Sequence, residues 1–309
     1  MADFIDMLRS RFRMASLLAR IIYVNIGVFV VLRLVGIAGF LFGFDAGGII
    51  SYVELPSSPW WFLRQPWTIV TYMFAHYDVL HILFNMLWLW WFGQLFLQFF
   101  SPRHLTGLYF VGGIGGGLLY MLAYNLLPAF AWHNGLLLGA SAAVIAIVVA
   151  TAVQAPNYKV GLLFFGEISI KWIAIVTIFI DFISISADNA GGHISHIGGA
   201  LVGLLFVVLL RRGIDITAWF NAIIDFAVNS YRRIFSGSGK RVSFKPPHRR
   251  SRSRMSTPPP PPQGGNGGIS PEDERVMDEI LKKIKESGYG ALTDEEKSRL
   301  FQASRRRQN

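Results

Sequence analysis

Cysteine is absent from the 309 residues, which removes disulfides, thiolate metal sites and cysteine nucleophiles. Charge is scarce: 16% of residues are Asp, Glu, Lys or Arg, where a soluble domain carries about a quarter. The scarcity is uneven, because residues 21 to 210 hold almost none of it and the last hundred are rich in it. No HExxH, CxxC or P-loop pattern occurs, and Asp181 has no second carboxylate in a nearby apolar run with which to form an aspartic dyad. Neither a metal nor a cofactor is expected. A small-residue cleavage site is also missing near the N-terminus, so the first apolar run is expected to persist as a helix. What the chain does have is apolar bulk, with 52% hydrophobic residues, 25 Phe and 9 Trp. That composition predicts a multi-span membrane domain followed by a polar tail.

The formal net charge is +10. Nucleic acid binding would need those charges on a folded, solvent-facing surface. Most of them instead flank apolar runs or sit in a Pro-rich tail, which points to anionic lipid and to topology.

A bilayer core of roughly 30 Å needs about 20 helical residues. Six spans are expected, at 18–42, 78–99, 105–125, 139–154, 170–187 and 193–210. Arg33 interrupts the first and is read as snorkelling or marking the outer boundary. The stretch from 44 to 68, with Pro56, Pro59, Trp60, Trp61 and Trp67, has interfacial character. Arg9, Arg11, Arg13, Arg20, Arg103, Lys159, Arg211 and Arg212 all fall on one side if the N-terminus is cytoplasmic. The fold class expected is all-α, a polytopic bundle of six transmembrane helices with a mostly disordered cytoplasmic tail.

The chain then divides into a cytoplasmic segment (1–17), a membrane domain (18–212), an amphipathic interfacial segment (213–235), a basic Pro/Gly-rich linker near anionic lipid (236–271) and a small helical extension (272–309). In the extension, Ser270-Pro271 and Thr293 through Glu296 read as helix starts, and Gly288 as a stop.

This topology places His81, Asn85, Ser141 and His196 at one depth, in the outer part of the bilayer. A serine hydroxyl becomes a nucleophile when a neighbouring base takes its proton. The small residues of Gly139-Ala140-Ser141-Ala142 permit close backbone approach; a small serine at a packed helix interface fits the same pattern. An imidazole facing lipid is costly, so His196 is a functional candidate. Gly199 and Gly203 follow it on the same helical face and let a neighbour come to near backbone contact. If that neighbour is the fourth span, His196 reaches Ser141. His193 falls before the span and off that face, so it is expected in a loop. His81 and Asn85, at i and i+4, share a face of the second span and suit either oxyanion stabilisation or interhelical bonding. His76 and Asp78 are expected at the interface. Asp181 is a possible third member of a triad, but a span of 170–187 puts it nearer mid-membrane.

The ordered set His81-x-x-x-Asn85, Gly139-x-Ser141 and His196-x-x-Gly199-x-x-x-Gly203 resembles the rhomboid intramembrane serine proteases over residues 15 to 212. The stretch from Ala75 to Trp88 is similar to that family's second span beyond its two polar positions, and the tail from Arg275 to Arg305 resembles an extension of some bacterial members. The resemblance implies a Ser141–His196 dyad without an acidic member and an oxyanion hole of His81, Asn85 and the Ser141 backbone N–H. Gly139, Gly199 and Gly203 are assigned to helix packing. It also implies single-span membrane proteins as substrates, in a bacterial inner membrane with both termini cytoplasmic. Two positions depart from the family pattern: Ala142 stands where a glycine commonly follows the serine, and Ile145 where an aromatic often stacks on the histidine. A proteolytically silent rhomboid-like protein that binds membrane clients is the alternative; a small transporter would need paired repeats that the sequence lacks.

Overall fold

The computed structural model describes residues 2–131, 133–162, 166–186 and 189–235, with short stretches at 278–280, 282–284, 292–293 and 295–297. Helix α1 (Ala2–Met14) lies within the segment expected before the first span, and α2 (Leu17–Phe42) follows it. Ser16 opens α2 by accepting a hydrogen bond from the Ala19 N–H, and Gly43 closes it at φ 71°. The interfacial stretch folds into α3 (Ala46–Ile50), strand β1 (Leu55–Pro56), α4 (Pro59–Arg64) and α5 (Thr68–Thr71). Trp60, Trp61 and Trp67 are exposed there. Arg33 reaches toward the carbonyl of Tyr77, two residues before Val79, at 3.5 Å.

Helix α6 (Val79–Phe96) is capped by Asp78, which accepts from the N–H groups of Leu80 and His81. Helix α7 (Pro102–Leu126) begins with Ser101 as cap and Pro102 at its first position. Strand β2 (Leu136–Leu137) pairs with β1, and three residues separate it from α8 (Ser141–Gln154). A hairpin of β3 (Lys159–Leu162) and β4 (Gly166–Ser169) leads into α9 (Ile170–Ile183). Helices α10 (Ala190–Leu210) and α11 (Ala218–Phe235) complete the first compact unit.

Among the described residues, four helices are long and apolar enough to cross a membrane: α2, α6, α7 and α10. They coincide with the first, second, third and sixth expected spans. Helices α8 and α9, at the positions expected for the fourth and fifth spans, have 14 residues each, or about 21 Å of helix. Helix α8 has no need of a lipid-facing length. Every residue from Ala142 to Ala152 is buried, and its neighbours are α6, α7, α9 and α10. The irregular backbone just before it, at Gly139 and Ala140, is buried in protein.

Small residues allow this enclosure. An added Cβ at Gly112 would lie 2.4 Å from the Ala146 side chain, and one at Gly116 would lie 2.6 Å from that of Ala142. On α10, a Cβ at Gly199 would lie 2.1 Å from the Ala142 carbonyl oxygen and one at Gly203 2.3 Å from that of Ala146. The glycine face of α10 therefore packs on the backbone of α8, the partner that brings His196 to Ser141.

Two boundaries that bear on the site differ from expectation. Helix α9 ends at Ile183, four residues early, so Asp181 occupies its last turn instead of the middle of a longer span. Helix α10 starts at Ala190, capped by Asn189, so His193 is helical and not in a loop. The β3–β4 hairpin was not expected; Lys159 and Glu167 pair across it at 3.3 Å.

In the second unit, the described turns at 278–280, 282–284 and 295–297 are helical. Thr293 and Glu296 exchange backbone–side-chain hydrogen bonds as a capping box, and Lys283 pairs with Glu296 at 2.9 Å. The expected linker, 236–271, lies outside the described residues.

Candidate active site

The approach to Ser141 is held by hydrogen bonds. The Ser57 N–H donates to the Gly135 carbonyl, and the Gly135 N–H donates to Ser57 Oγ at 3.0 Å. Further along, the Gly139 N–H donates to the Tyr72 carbonyl at 2.9 Å. The Ala140 N–H then donates to His76 Nε2 at 3.3 Å. Gly139 has φ 117°, a conformation that strains any residue with a Cβ. An added Cβ there would also lie 2.8 Å from His81 Cε1. Its expected assignment to helix packing is corrected: Gly139 is a turn residue that lets the chain pass under the His81 ring and enter α8.

His76 is likewise corrected from an interfacial position to full burial. Its Nδ1 lies 3.3 Å from the Phe74 carbonyl, which only accepts, so Nδ1 carries the proton and Nε2 is free to accept from Ala140. Burial, and secondarily the nearby His81, push this imidazole down to about 4 from an ordinary 6.5. A folded value below the unfolded one means that stability is complete above pH 6.5 and declines as pH falls toward 4. The thermal midpoint of the purified protein is expected to drop across that window, and His76→Gln is expected to flatten the slope. An equally steep slope in the variant would remove His76 as its origin.

Ser141 is the first residue of α8, where N–H groups of the first turn have no intrahelical partner and the helix dipole favours negative charge. Its Oγ lies 2.6 Å from His196 Nε2. The other ring nitrogen of His196, Nδ1, lies 2.8 Å from Asp181 Oδ1. His193, one turn earlier on α10, places its own Nδ1 2.9 Å from the same oxygen. The three side chains are mostly enclosed, with 8% of Asp181, 18% of His196 and 20% of His193 exposed. Their donor atoms lie within 4.8 Å of one another, a separation a metal ion spans. Hydrogen bonds from both rings to one carboxylate oxygen account for the arrangement.

His81 and Asn85 both come to this site from α6, by different routes. The His81 ring lies over Gly139, and Asn85 lines the same cavity as Ser141 and His196. One N–H of the Asn85 amide donates to the His81 carbonyl at 2.9 Å, and the second makes no hydrogen bond among the described residues. The cavity holds about 330 Å³ between α6 and α9, with Phe84, Trp88, Val144, Ile145 and Ile180 among its walls. It is an apolar slot with a polar end.

The two departures from the family pattern sit differently. The Ala142 methyl points at Gly116 of α7 and is buried in helix packing, so it does not narrow the slot. Ile145 lines the slot beside His196 and gives that wall an aliphatic surface. Sequence reasoning underrated Asp181 and His193. The signal available was the Asp181-to-Asn189 interval, short enough to bring one helix end back on the next.

Residues 63–213 match the rhomboid domain family model. Over 157 residues the chain is 30% identical to RHOMBOID-like protein 12, mitochondrial, of Arabidopsis thaliana, covering 47% of each. Over 186 residues it is 28% identical to rhomboid protease GlpG of Yersinia enterocolitica, covering 58% of this chain and 57% of that protein. It is 25% identical over 142 residues to presenilin-associated rhomboid-like protein A, mitochondrial, of Danio rerio, covering 43% and 35%. The chain spans about half the length of the curated relatives it matches.

Proposed function

We propose, from the premise that the chain belongs to the rhomboid family of integral membrane proteins, that it is an intramembrane serine endopeptidase. In this reading Ser141 is the nucleophile and His196 the base. The observation that carries it is the 2.6 Å approach of His196 Nε2 to Ser141 Oγ at the polar end of an apolar slot. In the first step Oγ bonds to the scissile carbonyl carbon, its proton passes to Nε2, and the carbonyl electron pair moves to oxygen. The Ser141 N–H at the α8 terminus, the free amide N–H of Asn85 and the His81 ring supply donors for that oxyanion. His196 then protonates the leaving amine, and a water molecule repeats the sequence on the acyl-enzyme.

The slot suits an apolar segment in which part of the helix has unwound, because a helical carbonyl is already hydrogen-bonded. Single-span membrane proteins with Gly or Pro near the cleaved bond are therefore the substrate class. Counting α8 and α9 with the four long helices gives six crossings, both termini on the cytoplasmic side of a bacterial inner membrane. Helix α11 lies along the inner face, where its exposed Trp219, Ile223 and Phe226 meet lipid, and the basic stretch from Lys240 to Arg254 binds anionic headgroups.

The test is cleavage of a labelled single-span substrate with a Gly-rich helix, in liposomes, by the full chain and by its Ser141→Ala and His196→Ala variants. A fluorophosphonate probe should label wild type and not Ser141→Ala. Cleavage that survives either substitution would overturn the reading, and a wild type that neither cleaves nor labels would favour a silent client-binding protein.

A further inference from the structure

We propose that Asp181 is a positioning residue for His196, turning the two-residue arrangement implied by family resemblance into a line of three: Asp181, His196, Ser141. This rests on the serine protease reading. A carboxylate only accepts hydrogen bonds, so the 2.8 Å contact from Asp181 Oδ1 requires the proton of His196 to sit on Nδ1. The Nε2 lone pair is then the one that faces Ser141 Oγ at 2.6 Å. Asp181 thus selects the tautomer in which His196 can act as a base.

The carboxylate is itself well placed to hold that ring. It belongs to the last turn of α9, and His196 lies on the second turn of α10, so two rigid helices define the contact. His193 donates to the same Oδ1 at 2.9 Å and, by the same reasoning, also carries its proton on Nδ1. Two donors arriving at one oxygen fix the direction of the carboxylate. Its other oxygen, Oδ2, is buried and makes no hydrogen bond among the described residues. Among the described residues the negative charge is therefore met through Oδ1, on the side where His196 acquires positive charge during attack. As Oγ bonds to carbon, its proton moves to Nε2 and Nδ1 keeps its own; Asp181 stays ionised and faces the imidazolium. A group serving only to tie α9 to α10 would need its hydrogen bonds and not its charge.

Substitution separates those roles. Asp181→Asn is nearly the same size and keeps an acceptor, but it lacks charge and its NH₂ can present itself to Nδ1, placing the histidine proton on Nε2. In the liposome assay, Asp181→Asn and Asp181→Ala are expected to lower kcat by about 30- to 300-fold with KM within about twofold. Asp181→Glu is expected to recover at least about tenfold of that loss. Fluorophosphonate labelling of Ser141 should slow in parallel with kcat. An Asp181→Asn variant that cleaves and labels at the wild-type rate would overturn the positioning role and leave the serine protease reading intact. Equal losses in Asn and Glu variants, with labelling unchanged, would also overturn it. If Asp181→Ala fails to fold, the near-isosteric Asn variant still decides the question. Failure of the underlying reading shows separately, as a wild type that does not label at all.

Discussion

Ser141→Ala is expected to lower single-turnover cleavage by about 10⁵- to 10⁶-fold, and adding His196→Ala to it is expected to cost almost nothing more. The reason is geometric. At 2.6 Å the hydroxyl and the imidazole share one proton-transfer coordinate, so neither has a separate contribution to the chemical step. Without Oγ there is no atom for Nε2 to activate, and without Nε2 the hydroxyl proton has no acceptor. The residual rate in either variant would come from the oxyanion donors and from binding in the slot. The measurement is cleavage under enzyme excess for wild type, both single variants and the double. Losses that multiply in the double variant would mean two independent contributions, contrary to this geometry.

Gly199→Val should abolish activity by a different route. The glycine face of α10 meets α8 so closely that a Cβ at Gly199 would lie 2.1 Å from the Ala142 carbonyl oxygen and 3.1 Å from its Cα. The obstacle is backbone, which no rotamer change can move aside. Overpacking in a close-packed interior costs about 1–3 kcal/mol, and more where backbone must shift. The two helices would have to separate here, one turn from His196, and a shift of about 1 Å at reacting atoms can cost about 10²-fold in rate. Gly199→Val is therefore expected to lose at least about 10²-fold in kcat and to lower the thermal midpoint. Gly36→Val is the control, since a Cβ at Gly36 on α2 has nothing within 4 Å. Equal behaviour of the two variants would show that the α8–α10 contact does not position the site.

Much of the fold was legible before any coordinates. Apolar runs of bilayer length, bounded by Ser101-Pro102 and Arg211-Arg212, marked α7 and α10 to within three residues at each end, because desolvating a charge or an uncapped terminus is expensive in lipid. The spacing of His196, Gly199 and Gly203 implied a contact face, since residues three and four apart share a side of a helix. Helix α8 fell within two residues of its expected 139–154, but the end of α9, four residues short of 187, was not legible. Hydropathy does not distinguish a helix enclosed by other helices, as α8 is, from one like α9 that leaves Trp172, Ile175, Phe179 and Phe182 exposed.

The site divides along the same line. From sequence alone came the residue types capable of the chemistry and the helices that carry them, since both follow from local pattern and charge. Tertiary structure decided which groups meet. His76 became the support for Ala140 and not an interfacial side chain, Gly139 became a turn beneath His81, and Asp181 came onto Nδ1 of His196. Those contacts depend on where α9 ends and how closely α8 and α10 approach, and both are set by packing among helices far apart in the chain, which no local pattern encodes.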